Sequence, residues 1–157
     1  MGGTLKIRSP EPADVALVCS TWKRSARLAY PWMRTTAYYR DHGAAIEAAL
    51  ARSSVLVACE ADDPGHVYGW ICWEGRCVHY VFVKYTYRAM GIGTALLLAT
   101  GLVRREGGRL AGALQASHYS ASHRVAANAV KAARDRGVSV EIWPHALHGA
   151  PAERRTA

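Results

Sequence analysis

The sequence of 157 residues has no apolar run that approaches the roughly 18 residues a membrane-spanning helix needs. The opening stretch MGGTLKIRSP lacks the apolar centre of a secretory signal, and the chain contains no internal repeat or low-complexity segment. These absences predict a single soluble, cytoplasmic domain over residues 1–157, with no membrane partner. Residues from about 145 to 157 are expected to form a flexible tail.

Cysteine pairs at metal-binding spacing are also absent. The four cysteines, Cys19, Cys59, Cys72 and Cys77, form no CxxC pair, so neither a zinc ribbon nor a disulfide scaffold is indicated. If Cys72 and Cys77 face each other across a hairpin with His79 nearby, they make an incomplete metal site at best. Buried or half-buried thiols are therefore the favoured interpretation, and no metal is expected.

Acidic residues are in the minority: 20 Lys and Arg against 12 Asp and Glu give a formal net charge of +8. The arginines of this excess fall in different segments rather than in one run. Such a field favours a polyanionic ligand or a nucleic acid. A solvated basic surface without a specific partner explains the charge equally well, so both interpretations stay open.

Hydrophobic periodicity and turn residues predict a mixed α/β fold. Strands are expected at 4–8, 54–60, 66–74, 77–85, 109–117 and 138–143, and helices at 9–29, 35–54, 91–108 and 120–137. The three middle strands have short turns and must be antiparallel neighbours, whereas the later strand–helix–strand units can add parallel pairs. A central, mostly antiparallel sheet with helices on both faces is the expected architecture.

Two glycines at fixed spacing open the helix predicted at 91–108. They belong to the segment RAMGIG, residues 88–93, which stands between a strand and that helix. A helix start offers unpaired N–H groups and the positive end of the helix dipole, and glycines let a phosphate approach the backbone. No Gly-Lys-Ser/Thr follows, position 96 is Leu and no acid lies about 20 residues further on, which excludes a P-loop and a dinucleotide fingerprint. The alternative is a glycine-initiated helix packed tightly on the sheet.

The longer stretch VHYVFVKYTYRAMGIGTALL, residues 78–97, resembles the central motif of the GNAT superfamily of acyl-CoA-dependent N-acyltransferases. The predicted order of elements resembles that family over residues 5–143. The resemblance implies a GNAT-like fold and acetyl-CoA as acyl donor, with a splay between the strands at 77–83 and 109–117 that takes the pantetheine arm. It implies that the donor is bound by Val81, Phe82, Val83, Arg88, Ala89, Met90, Gly91, Ile92, Gly93 and Thr94. The sequence as a whole also resembles small phage and prophage proteins of this type.

The sequence departs from the family in its C-terminal part. Many relatives have a tyrosine about four residues before the glycine that closes the last helix, and this chain has Ala133 there. The companion asparagine of relatives is matched only approximately, by Asn128. One strand follows the last helix where relatives usually have two. The resemblance therefore supports acyl-CoA binding better than any particular proton relay.

Acyl transfer to an amine needs a base for the amine proton and an acid for the leaving thiolate. His79 is placed mid-strand, where the family often has a catalytic carboxylate, although a lone strand histidine is as often a hydrogen-bonded core residue. Glu74 is the nearest carboxylate, but its place at a hairpin end favours a solvated side chain. Tyr119, Tyr80 and His118 are the candidate acids. Strand alternation predicts that Tyr80 and His79 face opposite sides of the sheet.

The link between the first two helices walls the acceptor pocket in this family. Here Tyr30, Trp32 and Arg34 could form an aromatic, basic rim, with His118 on the opposite side of the cleft, unless Trp32 merely covers the core. Three functions follow as alternatives: acetyl transfer to a primary amine by direct attack in a ternary complex, transfer to a nucleic-acid base or aminoacyl-tRNA, and a degenerate CoA-binding or interaction module without catalysis. A monomer or a homodimer is expected.

Overall fold

The computed structural model describes residues 3–117, 135–142 and 144–148, and within them one sheet contains seven strands. The strands are β1 (Leu5–Arg8), β2 (Ser54–Glu60), β3 (Val67–Glu74), β4 (Cys77–Val83), β5 (Val103–Glu106), β6 (Arg109–Ala116) and β7 (Val138–Ile142). The helices are α1 (Pro12–Arg27), α2 (Thr35–Ala37), α3 (Gly43–Arg52) and α4 (Ile92–Ala99), with a π-helical turn at Tyr38–His42 and 3₁₀ turns at Tyr85–Tyr87 and Pro144–His148.

The sheet combines antiparallel and parallel pairing. Strands β1 to β4 are sequential antiparallel neighbours, and β4 pairs in parallel with β6. Strand β6 also pairs with β5 in antiparallel and with β7 in parallel orientation. Because Gly112 of β6 pairs with both Val103 and Val138, β5 and β7 lie on opposite sides of β6. The predicted mixed α/β sheet is confirmed.

Helices cover both faces of this sheet. Trp22 of α1 and Ile46 of α3 pack with Trp70 of β3 in one buried cluster. Leu96 of α4 packs with Ile71, the next residue of β3, in a second cluster on the other face. Each such fully buried apolar side chain stabilises the fold by roughly 1.5–3 kcal/mol. The predicted two-sided helix packing is confirmed.

Helix α1 begins where the sequence predicts, on proline and acids. The carboxylate of Asp14 accepts the backbone N–H of Glu11 at 2.7 Å, and Pro12 occupies the first turn. Arg8 at the end of β1 donates to the same carboxylate at 2.5 Å. The helix start is thereby fixed to the sheet edge.

The helix predicted at 35–54 is interrupted by a π-helical turn. α2 and α3 flank the turn at Tyr38–His42, which directs the fully buried ring of Tyr38 into the protein. The hydroxyl of Tyr38 donates to the carbonyl of Lys23 at 2.7 Å. This bond ties the turn to α1 and gives the buried hydroxyl a partner, without which its burial would destabilise the fold.

The helix predicted at 91–108 is wrong in its second half. α4 ends at Ala99, and Val103–Glu106 forms β5, which pairs with β6. The backbone N–H of Leu102 donates to the hydroxyl of Thr100, which turns the chain out of the helix. The glycine pair at 107–108 then makes the turn of a hairpin, so it joins two strands instead of ending a helix.

Two predicted segments fall wholly or largely outside the described residues. The helix predicted at 120–137 lies there except for its last residues, and so does the tail beyond His148. The Pro144–His148 turn itself is part of the fold, since Ala146 and Leu147 are buried. No helix of the described ranges is both long and apolar enough to cross a membrane. The single-domain organisation stays a prediction.

Candidate functional site

The turn between β4 and α4 leaves main-chain groups uncovered. Gly91 precedes the first residue of α4 with a left-handed backbone (φ 81°), and no side chain of the described residues caps the helix. A Cβ built at Gly91 would meet no described atom within 4 Å, and one at Gly93 would touch only Val81 and Val83 at ordinary distances. An added side chain at either glycine thus has room among the described residues, which disfavours the tightly packed alternative.

Two arginines lie beside this turn. Arg88 donates from Nε to the carbonyl of Val83 at 3.1 Å, and its guanidinium carbon lies 5.5 Å from the ring centroid of Tyr85. Arg136, which precedes β7, donates to the hydroxyl of Thr94 in the first turn of α4 at 3.0 Å. The sequence analysis missed Arg136, because its contact joins segments 42 residues apart. Both cations add to the positive end of the α4 dipole.

The predicted separation of two parallel strands is present next to the turn. Strands β4 and β6 pair at only two positions, Cys77 with Gln115 and Val78 with Ala116. The N–H of Ser117 donates to the carbonyl of Val78 at 3.2 Å, and β4 then continues to Val83 without further pairing to β6. Within the described residues, β6 does not pair with residues 81–83 of β4, which we call the β4 edge.

A β-bulge changes the direction of His79. Trp73 pairs with Val78 and Cys72 with Tyr80, so His79 is an extra residue on β4. As a result, the rings of His79 and Tyr80 both lie near Trp22, at centroid distances of 6.3 and 5.6 Å. The prediction that His79 and Tyr80 face opposite sides is wrong, because strict alternation stops at a bulge.

His79 lies in a chain of side-chain hydrogen bonds. Its Nδ1 is 3.0 Å from Oγ of Ser117, and its Nε2 is 3.4 Å from Oε2 of Glu74. The same carboxylate oxygen accepts from Nε of Arg52 at 2.9 Å. Arg52 also donates to the carbonyls of Ala146 and Leu147. We call Arg52, Glu74, His79 and Ser117 the His79 network.

Burial decides the charge state of this network. His79 is only 2% exposed, and this burial lowers the pKa of its imidazole, against the opposing effect of Glu74. The imidazole is therefore neutral at pH 7 and able to accept a proton. The side chain of Glu74 is only 26% exposed and is paired with Arg52, so the solvated carboxylate weighed in the sequence analysis is not what the fold contains.

Of the three candidate acids, the structure describes only Tyr80. The Tyr80 hydroxyl donates to Oγ of Ser25 at 2.9 Å, and burial raises the pKa of Tyr80, which keeps its proton engaged in the core. Tyr119 and His118 lie outside the described residues. The roles assigned to Tyr119 and His118 stay predictions.

The loop after α1 presents Trp32 to solvent, with the half-buried Tyr30 beside it. Arg27 holds the loop by donating to the carbonyls of Tyr30 and Met33. The ring of Trp32 lies 5.6 Å from that of Tyr30 and is 71% exposed, so Trp32 does not cover the core. Arg34 is exposed directly before α2. An aromatic and basic surface is therefore available at this loop.

The cysteines form no metal site within the described ranges. Cys72 pairs with Tyr80 and Cys77 with Glu74, so the two cysteines do not face each other. Burial raises the pKa of Cys72 to about 12 and that of Cys77 to about 11, which keeps both thiols protonated. No group of three metal-binding side chains occurs in the part of the chain described.

No family model and no curated protein matches this sequence, but solved structures of GCN5-related N-acetyltransferases are similar to its fold in part. Apo YjaB from Escherichia coli is 18% identical, with a TM-score of 0.46 over 61% of this chain and 63% of that chain. A GNAT family acetyltransferase from Brucella melitensis, solved with acetyl-CoA, is 23% identical, with a TM-score of 0.41 over 62% and 68%. A ribosomal-protein-alanine N-acetyltransferase from Brucella melitensis biovar Abortus 2308 is 12% identical, with a TM-score of 0.42 over 98% and 97%.

Proposed function

We propose that this chain is an N-acyltransferase that moves an acetyl group from acetyl-CoA to a primary amine. The observation that carries the proposal is that the start of α4 directly follows a stretch of β4 with which β6 does not pair. The open first turn of α4 at Gly91 suits a diphosphate, and the β4 edge directly before it suits the amide groups of a pantetheine arm.

The donor would be held by the residues that the resemblance implies. Backbone amides of Ile92, Gly93 and Thr94 at the start of α4 would bind the pyrophosphate, with Arg88 and Arg136 beside them. Residues Val81–Val83 of the β4 edge would bind the pantetheine arm. Val81 is 40% exposed, which makes apolar contact available there. Ala89 and Met90 complete the turn.

The reaction would proceed by direct attack in a ternary complex. The amine nitrogen forms a bond to the thioester carbonyl carbon, the carbon–sulfur bond breaks, and the amine proton passes to a base. His79 is the proposed base because its imidazole is neutral at pH 7 and lies at the point where β4 and β6 separate. Glu74 would stabilise the imidazolium that forms. Tyr119 is the proposed proton donor to the thiolate.

The acceptor would bind beside the exposed loop after α1. Tyr30 and Trp32 offer ring surfaces, and Arg34 offers a charge for an anionic group of the acceptor. Opposite them, His118 would contribute to the same cleft. We expect Trp32→Ala to raise the KM for the acceptor several-fold without changing affinity for CoA.

A nucleic-acid amine is the second candidate acceptor. The exposed ring of Trp32 suits stacking on a base, and the net charge of +8 suits phosphate contacts. Binding to DNA or aminoacyl-tRNA would then weaken strongly between about 50 and 200 mM salt, because counterions are released on binding. Salt-independent binding would contradict this version.

Calorimetry with CoA and a thiol-release assay test the proposal together. We expect CoA to bind, and acetyl-CoA to release thiol only when a suitable amine from a broad panel, DNA or aminoacyl-tRNA is added. Tight binding without thiol release on any acceptor would favour the CoA-binding module instead. Absence of CoA binding would contradict both acyltransferase functions and leave only an interaction module.

A further inference from the structure

We infer that Ser117 relays the amine proton from the gap between β4 and β6 to His79. This catalytic role rests on the proposed function. Neither the resemblance nor the sequence pattern singled out Ser117, whose partners lie 38 and more residues away. Its role follows from the contacts of the His79 network.

Ser117 occupies the position where the two strands part. Its N–H donates to the carbonyl of Val78, immediately before His79 on β4. This bond holds the backbone so that the serine hydroxyl lies 3.0 Å from Nδ1 of His79. Ser117 is 4% exposed, so the pair is shielded from bulk water and its hydrogen bond is not weakened by solvent competition.

The partner of the opposite ring nitrogen fixes the direction of proton transfer. Nε2 of His79 faces the carboxylate of Glu74, and an ionised carboxylate only accepts hydrogen bonds. In the neutral ring, Nε2 therefore carries the proton and Nδ1 carries the lone pair. The hydroxyl of Ser117 donates to that lone pair.

Each proton in the relay can be followed from donor to acceptor. As the amine attacks the thioester, its proton passes to Oγ of Ser117 while the hydroxyl proton of Ser117 passes to Nδ1 of His79. Ser117 ends as the hydroxyl it began as, and His79 becomes an imidazolium. Glu74 of β3 stabilises this cation, Arg52 of α3 opposes it, and the Trp22 ring of α1 stacks beside it.

Steady-state kinetics of Ser117→Ala, His79→Gln and the double variant test the relay. We expect Ser117→Ala to lower kcat about 10- to 100-fold with an unchanged KM for acetyl-CoA, and the double variant to be no slower than the slower single variant. The fall of kcat at acidic pH, which reports on His79, should flatten in Ser117→Ala. Ser117→Thr keeps the hydroxyl and should retain most of the rate.

Ser53→Ala is the matched control, because its hydroxyl is also partly buried but donates to the carbonyl of Ala49 at 2.6 Å. We expect its kcat to equal that of the wild type. A wild-type kcat in Ser117→Ala, or single effects that multiply in the double variant, would overturn the relay while leaving acyl transfer intact. A wild type that binds acetyl-CoA but acylates no amine would overturn both.

Imidazole ¹⁵N NMR gives a readout that does not need turnover. At neutral pH we expect His79 as the Nε2–H tautomer in the wild type, and a shift of the Nδ1 resonance in Ser117→Ala as its hydrogen bond is lost. The Nδ1–H tautomer in the wild type would contradict the assigned direction and end the proposal.

Discussion

The His79 network lies toward the start of β4 and the turn at Gly91 follows its end, and the two regions differ in what their function would require. Around His79, buried and partly buried polar side chains of β3, α3 and the residue after β6 contact one another. At Gly91, a left-handed residue without a side chain leaves backbone amides open. The first region depends on which side chains are present, and the second depends on a side chain being absent. Substitutions at Gly91 should therefore change ligand affinity, whereas substitutions in the His79 network should also change the free energy of unfolding.

A valine at position 91 should have the largest effect on ligand binding. The left-handed backbone of Gly91 costs an L-residue about 1–2 kcal/mol. The added side chain would also fill space beside the first turn of α4 that the proposed diphosphate needs. We expect Gly91→Val to weaken CoA binding by about 10- to 100-fold. Calorimetric titration with CoA measures this change.

Gly101 supplies a matched control at the other end of α4. It is also left-handed (φ 74°), and no described atom lies within 4 Å of an added Cβ. Gly101→Val should therefore lose a similar free energy of unfolding but keep its affinity for CoA. Equal losses of affinity in the two variants would show that backbone strain alone, rather than the open turn, explains the effect.

Removal of the Glu74 charge should lower stability in addition to slowing the proposed reaction. Glu74→Gln leaves the guanidinium of Arg52 without its carboxylate partner at 2.9 Å, in a site where the two side chains are 27% and 26% exposed. We expect a loss of about 1–2 kcal/mol in the free energy of unfolding, less than for a fully buried pair because solvent still reaches this one. Denaturant unfolding followed by tryptophan fluorescence measures it.

Glu106 offers the comparison for an exposed ion pair. Its carboxylate lies 2.6 Å from Nε of Arg104 on the solvent side of β5, where both side chains are more than half exposed. Glu106→Gln should change the unfolding free energy by less than about 0.5 kcal/mol. A loss as large as that of Glu74→Gln would mean that the location of the His79 network confers no special stability.

The same contrast explains what the sequence could predict. The Gly91 turn was predictable because its signal is local: two glycines, a strand before them and an apolar helix after them. Only part of the His79 network was predictable. His79 and Glu74 lie on one hairpin and are visible in the sequence, whereas Arg52 and Ser117 belong to segments far away along the chain. The bulge at His79 depends on the register of β3 and β4, which alternation alone does not reveal.

The misplaced end of α4 has a similar cause. The run from Ile92 to Glu106 consists mostly of good helix formers, so local propensity extends the helix through Val103. Pairing with β6 overrides that propensity, because Val103 is buried against the sheet only as part of a strand. A preference decided by long-range pairing is not visible in a local window.

The pH dependence of stability should show a smaller effect than the loss of the Glu74 charge. Burial lowers the pKa of His79 in the folded state, whereas the unfolded chain has an ordinary value of about 6.5. The unfolded state therefore binds the proton first, and stability is lost as pH falls below about 6.5, by at most about 1.4 kcal/mol per pH unit. Burial also lowers the pKa of His42, which makes stability depend on pH in the same direction.

Thermal unfolding at pH 7.5 and 5.5 tests both histidines. The drop in Tm between the two pH values should be smaller in His79→Gln than in the wild type, and smaller in His42→Gln than in the wild type. An unchanged drop in His79→Gln would mean that folding does not lower the pKa of His79. A larger drop would mean that His79 is protonated in the fold, which removes the neutral base.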